Sequence, residues 1–220
     1  MPPSLVQKLA LALAEGGRAD EAEKLFAGRF FPRAEQGTNV RQVYVEVELQ
    51  KALERARTGR GDEAVAIALG LGREVPGVSF THDGLDAFLA TPRALYLRGV
   101  IEASAGHEDE AKEHWRKALE ARDSFFLAVP YAYFAARKLG GADEAAWRQR
   151  LEDALAQSEA FLAVGTNFPG PVAHSQGMIL RALGREDEAK QRFRRSLMLP
   201  DQRLSHVLSR RALDGKEPEP

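Results

Sequence analysis

GHEDEAKEHWRKALEARD, Gly106 to Asp123, decides the fold. A glycine closes a helix in the left-handed conformation without a side-chain penalty, and Asp109 is placed to cap the amides of the helix that follows. Glu110 and Glu113 suit the positive end of that helix. Ala111, Trp115, Ala118 and Leu119 then fall on one stripe, as in a helix that buries one side. The stretch therefore reads as a tight helix-turn-helix corner, with small residues where two helices touch and a large one where they diverge.

Its outline recurs. GxxDEA appears as GRADEA from Gly17, GRGDEA from Gly59, GHEDEA from Gly106, GGADEA from Gly140 and GREDEA from Gly184. Five copies imply five helical pairs, near residues 3–36, 45–78, 92–125, 126–163 and 170–200, within one domain over 1–213. The second helix of the first pair is expected to run to about Phe31, where Pro32 stops it, with a polar loop over Arg33–Asn39. VYVEVEL, Val43 to Leu49, alternates as a half-buried strand does. It runs on without a turn into QKALERARTGRG, and the corner at Gly59 needs a helix before it, so helix is the expectation. The next helix should span Asp62 to about Glu74. Residues 77–91 form the longest insertion, with a turn or two of helix over 83–90. Pro92 is a natural first-turn residue, whereas Pro130 requires a helix that starts late or kinks. The fourth pair ends in a helix reaching about residue 163. Asp201 to Leu213 is an amphipathic closing helix, and 214–220 is expected to be a disordered tail.

Composition narrows the chemistry. The chain has no cysteine, so disulfides, thiolate metal sites and cysteine nucleophiles are absent. A formal net charge of −1 gives no electrostatic support to a nucleic-acid or anionic-membrane partner. Leu5 to Ala14 is interrupted by Gln7 and Lys8, lacks a basic leader and is too short to span a bilayer, which points to a cytoplasmic protein.

The landmarks resemble the tetratricopeptide repeat. The third unit carries the resemblance best, through Leu95, Gly99, Gly106, Ala111, Trp115 and Ala118. The fifth matches through Gly177, Gly184, Ala189 and Phe193, and the second through Ala52, Gly59, Ala64 and Pro76. Ala10 and Tyr133 replace the glycine of the close helix crossing in the first and fourth. The resemblance implies an all-α solenoid of about five units plus a closing helix. It also implies a concave wall built by the first helix of each unit, at residues ten, six, three and two before the corner glycine. Those positions are Leu49, Leu53, Ala56 and Arg57; Tyr96, Val100, Ala103 and Ser104; Pro130, Phe134, Arg137 and Lys138; and His174, Met178, Arg181 and Ala182. A looser resemblance joins RFFPRAEQGTNVRQVYVEVEL and its surroundings to the repeat tail of certain bacterial proteins that carry a β-rich domain. That domain lies outside this sequence, and no catalytic residue transfers.

The expected function is a non-enzymatic scaffold that takes up a protein or peptide segment with apolar anchors and acidic groups. The expected contacts are Arg57, Tyr96, Phe134, Arg137, Lys138, His174, Met178 and Arg181. Tyr96, His174 and the basic residues are expected at the surface because their tips are polar; Leu53, Val100 and Phe134 fit either wall or core. No cofactor or metal is implied. His107, Glu110 and His114 share a helix start, but the other four copies drop the histidines, so the repeated corner is structural. His82 beside Asp83 has no nucleophile placed with it. Two other readings are a carbohydrate-handling accessory using Phe80, Phe88 and Phe168 of the insertions, and end-to-end assembly into a homo-oligomer.

Overall fold

The computed structural model describes residues 1–31, 39–120, 126–199 and 203–217. In chain order the helices are α1 (Pro3–Glu15), α2 (Ala19–Lys24), α3 (Val40–Arg57), α4 (Gly61–Gly70), α5 (Asp86–Leu89), α6 (Pro92–Ser104), α7 (Glu108–Glu120), α8 (Val129–Lys138), α9 (Glu144–Ala163), α10 (Pro169–Ala182), α11 (Glu186–Met198) and α12 (Arg203–Leu213). A 3₁₀ turn, Ser79–Asp83, precedes α5, and the described residues contain no strand. The chain is all-α. Val43 to Leu49 lies inside α3, which Asn39 opens by accepting the amide of Arg41 at 2.9 Å.

All five GxxDEA copies form the same corner. Their glycines stand at φ between 72° and 81°. In each, the amide of the following residue donates to the carbonyl five back: Arg18 to Leu13, Arg60 to Arg55, His107 to Glu102, Gly141 to Ala136 and Arg185 to Leu180, at 2.8 to 3.3 Å. The amide of each corner glycine donates to the carbonyl three back, at 3.0 to 3.1 Å, so two orphan carbonyls at each helix end are satisfied. Nothing lies within 4 Å of a Cβ built on Gly59, so Gly59→Ala isolates the backbone strain. It is expected to cost about 1 kcal/mol, measured by urea unfolding; unchanged stability would show that the left-handed corner is not required there.

The aspartates of the motif were expected to cap the second helices. Asp143 does, accepting the amides of Ala145 and Ala146 at 3.1 Å, whereas Asp109 lies within the first turn of α7. At the first, second and fifth corners the capping position is taken by Arg18, Arg60 and Arg185, without a side-chain cap bond. The corner turns so tightly that the helix begins before the acids, which then sit in its first turn and face the macrodipole. Arg18 and Arg185 each fork onto the glutamate three residues on, Glu21 and Glu188, with both contacts at 2.7 Å.

Packing divides the chain into two compact units, Met1–His114 and Trp115–Pro220, with the boundary inside α7. In the first unit α3 packs on α1 and α2, and α6 packs on α3 and α4. In the second, α10 packs on α8 and α9, and α12 packs on α10 and α11. Within each unit, then, a helix that follows a hairpin contacts both helices of that hairpin. Gly177 of α10 makes the α10–α11 crossing close: a Cβ there would lie 2.3 Å from the ring of Phe193, which is fully buried.

The insertion over 77–91 folds back onto α3, which the 3₁₀ turn and α5 both contact. Phe80 joins Tyr44 of α3 and Phe26 and Phe31 beyond α2 in a four-ring cluster, with centroids 5.3 to 5.9 Å apart and mostly edge to face. The amide of Gly28 donates to the carbonyl of Gly77 at 2.7 Å, and Thr81 Oγ1 accepts the amide of Val75 at 2.9 Å.

Several boundaries differ from expectation. α2 ends at Lys24, well before Phe31, because the chain turns toward Gly28 (φ 64°) and delivers Phe26 and Phe31 to the ring cluster. α4 stops at Gly70 rather than near Glu74. Pro130 lies in the first turn of α8, so the late start is the solution adopted. Residues 32–38, with the expected stop at Pro32 and most of the polar loop, residues 121–125, with the expected helix start at Phe125, and residues 200–202 lie outside the described residues. Of the expected disordered tail, residues 214–217 are described, and 218–220 lie outside the described residues. Arg211 is buried and needs a counter-charge, which buried Glu217 supplies at 3.1 Å once Gly215 has turned the chain through a sixth corner.

Candidate functional site

The eight expected contact residues fall into two groups. Tyr96, Phe134 and Met178 are fully buried, and His174 is buried as well. For Tyr96 and His174 this corrects the expectation of exposure, since a polar tip does not need solvent when the interior offers a partner. His174 Nδ1 lies 3.1 Å from Ser209 Oγ of α12, and its ring centroid is 5.6 Å from that of Phe193. Phe134 sits between Tyr131 and Tyr133, with both ring centroids at 6.0 Å. Leu53 is also buried, while Val100 is half-buried.

The basic residues differ among themselves. Arg181 is half-buried and engaged: Nη2 donates to Glu186 Oε1 and to the carbonyl of Ala212, both at 3.0 Å, and the guanidinium lies 5.1 Å from the Phe193 ring centre. It ties α10 to the first turn of α11 and the end of α12. Arg57, Arg137 and Lys138 are exposed. Arg57 closes α3 in the first unit; Arg137 and Lys138 close α8 in the second. Arg137 leans over Tyr133 at 5.9 Å, while the Tyr133 hydroxyl donates to Glu144 at 2.9 Å.

The histidine pairs do not converge. His107 Nδ1 lies 3.1 Å from Glu102, and His114 Nδ1 lies 3.1 Å from the carbonyl of Glu110. His82 meets Glu74 at 3.1 Å, and that hydrogen bond raises its pKa above the usual imidazole value. Among the described residues no group of three or more acids and histidines is arranged to hold a metal ion. The aromatic residues of the insertions do not form one surface either: Phe80 is in the core, Phe88 is half-buried beside Arg41 with the guanidinium 5.4 Å from its ring centre, and Phe168 is exposed.

Two buried charge clusters in the first unit went unread in the sequence. Glu46 of α3 is buried and receives both arms of Arg93 from α6, at 2.5 and 3.1 Å, together with Gln50 at 2.8 Å. The signal was present: Glu46 and Arg93 each stand thirteen residues before a corner glycine, so opposite charges at equivalent positions meet where α3 and α6 pack.

The second cluster centres on Lys51, whose Nζ lies 2.5 Å from Glu23 of α2, 3.7 Å from Glu48 and 3.9 Å from Asp20. Arg55 bonds Asp20 at 2.6 Å and approaches Glu63 at 3.5 Å. Its hydrogen bond holds Asp20 below the usual carboxylate range. Glu48 is buried, and its Oε1 has no hydrogen-bond partner. Burial first, and the charge of Glu23 second, push its pKa up to about 7, against the pull of Lys51. Burial and the same two acids raise the neighbouring Tyr44 hydroxyl.

No helix among the described residues is long and apolar enough to cross a membrane. The chain matches no protein-family model, and comparison with curated proteins finds no match.

Proposed function

We propose that this chain is a tetratricopeptide-like scaffold, an α-solenoid of five helix-turn-helix units closed by α12, which binds a protein or peptide segment. The observation that carries the reading is the uniformity of the corners: five glycines with one backbone geometry, each joining a helical pair, with the helix after a hairpin packed on both its members. Stacks of this kind expose long ordered surfaces and owe their stability to nearest-neighbour contacts, which suits them to recognition.

The surface residues that support binding are Arg57, Arg137 and Lys138, which place positive charge at the ends of α3 and α8 for acidic groups of a partner. Tyr96, Phe134, His174 and Met178 shape the units from inside instead of touching the partner. The test is affinity capture with chemical crosslinking, followed by titration of the recovered partner against Arg57→Glu and Arg137→Glu/Lys138→Glu variants. Binding is expected to weaken about tenfold or more in at least one of them. Recovery of no protein partner, or equal affinity for wild type and both variants, would overturn the proposal.

A further inference from the structure

The residues one turn either side of Arg98 on α6, Ala94, Leu95, Ile101 and Glu102, are all buried. Arg98 therefore rises from a covered face of its helix, and it is half-buried itself. Its Nε is shielded from water and has no hydrogen-bond partner, and among the described residues its guanidinium forms no ion pair. The other described arginines of the first unit that are half-buried are engaged: Arg41 by the carbonyl of Gly84, Arg55 by Asp20 and Arg93 by Glu46. Burial pushes the pKa of the Arg98 guanidinium down, against the pull of Glu102. A cation taken partly out of water without a counter-charge is a cost to the fold, and such groups gather at functional sites.

Counting from the corner glycines shows what Arg98 lacks. It stands eight residues before Gly106, as Lys51 and Gln176 stand before Gly59 and Gly184. Lys51 bonds Glu23 of α2, and Gln176 Nε2 donates to Ser158 of α9 at 3.1 Å, so this position faces the hairpin before its own. For Arg98 that hairpin is α3/α4, on which α6 packs. Glu23 stands six residues after Gly17; six after Gly59 is Val65, which is buried and carries no acceptor. The seam between α2 and α3 thus holds a cation with its carboxylate, and the equivalent seam between α4 and α6 holds the cation alone.

We propose that Arg98 is a carboxylate-binding site, at which an acidic group of a ligand takes the place that Glu23 holds beside Lys51. The planar fork of a guanidinium matches a carboxylate in shape and charge. Buried Glu102, one turn on, is held by His107 Nδ1 at 3.1 Å and does not close on Arg98. One cation beside that acid suits a monoanion, whereas a phosphate dianion would meet stronger repulsion from Glu102 and would need further positive charge. Such a site takes a free carboxylic acid as well as an acidic group of a bound segment, so it stands or falls apart from the scaffold reading.

Acetate is the probe. The Nε–H signal of Arg98, identified by its loss in Arg98→Lys, is followed by NMR in the full chain while acetate replaces chloride at constant ionic strength. It is expected to shift saturably, with half-saturation at about 10 to 100 mM, the range of a single charge-assisted pair. Acetate is also expected to raise the melting temperature of the wild type but not that of Arg98→Met, which keeps an apolar stem and drops the charge. N-acetylglycine and the α-amide of N-acetylglutamate then separate a chain terminus from an acidic side chain, the tighter of the two naming the source. An Nε–H signal that stays in place, a melt that acetate raises equally in both chains, or tighter binding of inorganic phosphate than of acetate overturns the proposal.

Discussion

Gly177→Ala is expected to destabilise the second unit by about 3 kcal/mol, the upper end of what overpacking usually costs. The sign is not obvious, since alanine in place of glycine inside a helix ordinarily gains up to about 1 kcal/mol. Here the new methyl would meet the Phe193 ring at 2.3 Å, with two further ring atoms at 2.5 and 2.8 Å. The ring cannot swing away, for it is fully buried against the His174 ring and beneath the Arg181 guanidinium. Either the ring leaves its rotamer or α10 and α11 separate, and separation would disturb the Ser196–Gly170 bond at 3.0 Å and the contacts of α12 with both helices. The check is a double-mutant cycle in urea with Phe193→Leu. The two substitutions together should cost at least about 1 kcal/mol less than the sum of the singles. Additive costs would mean that the crossing relaxes freely and that its closeness does not hold the pair together.

Glu48→Gln is expected to stabilise the first unit at alkaline pH and to do little at pH 4.5. Glu48 has a native pKa of about 7 against an ordinary 4.5. Between those values the native state holds the proton that the unfolded chain releases, so stability falls as pH rises, and the whole cost is present above about 7. A shift of that size amounts to about 3 kcal/mol. Glutamine stays neutral, so the difference between variant and wild type should be small at pH 4.5 and grow toward that figure by pH 8. The charged and titratable groups that face Glu48 are Asp20 and Glu23 from α2 and Tyr44, Lys51 and Arg55 along α3, and comparing variant with wild type at each pH removes the part of their effect that does not depend on the Glu48 charge. Urea unfolding at both pH values decides it. A difference that stays constant across the range would mean that Glu48 is ionised throughout and that Lys51 fully neutralises it.

The corners were the legible part of this chain. A glycine followed at fixed spacing by two acids and an alanine is a local instruction, and all five copies carried it out with the same backbone geometry. The faces of the helices were not legible, and α3 shows why. Residues 43–50 are buried without interruption, polar and apolar alike. Helical periodicity marks a buried stripe only when the opposite side meets water, and this helix is covered on every side by α1, α2, α4, α6 and the folded-back insertion. Its glutamates create the alternation that suits a strand, yet they are tolerated through Arg93, 47 residues away, and through Lys51, which also bonds Glu23 from 28 residues back. Such pairings are visible only once helices are aligned on their corner glycines. His174 and Tyr96 were misplaced for the same reason, because counting back along one helix says nothing about the helices laid against it.

The four-ring cluster has a consequence for how the chain can be altered. Insertions between repeats are ordinarily the places where length can change at little cost and where a protease first enters. Residues 79–89 are an exception, since Phe80, Leu85 and Leu89 are core residues and the 3₁₀ turn holds Tyr44 from outside. Shortening that loop would remove part of the first unit's interior, and a tag placed there would have to displace it. The segment between α9 and α10, where Val164 and Phe168 stand in solvent, is the better place for a foreign sequence, an affinity handle or a cleavage site.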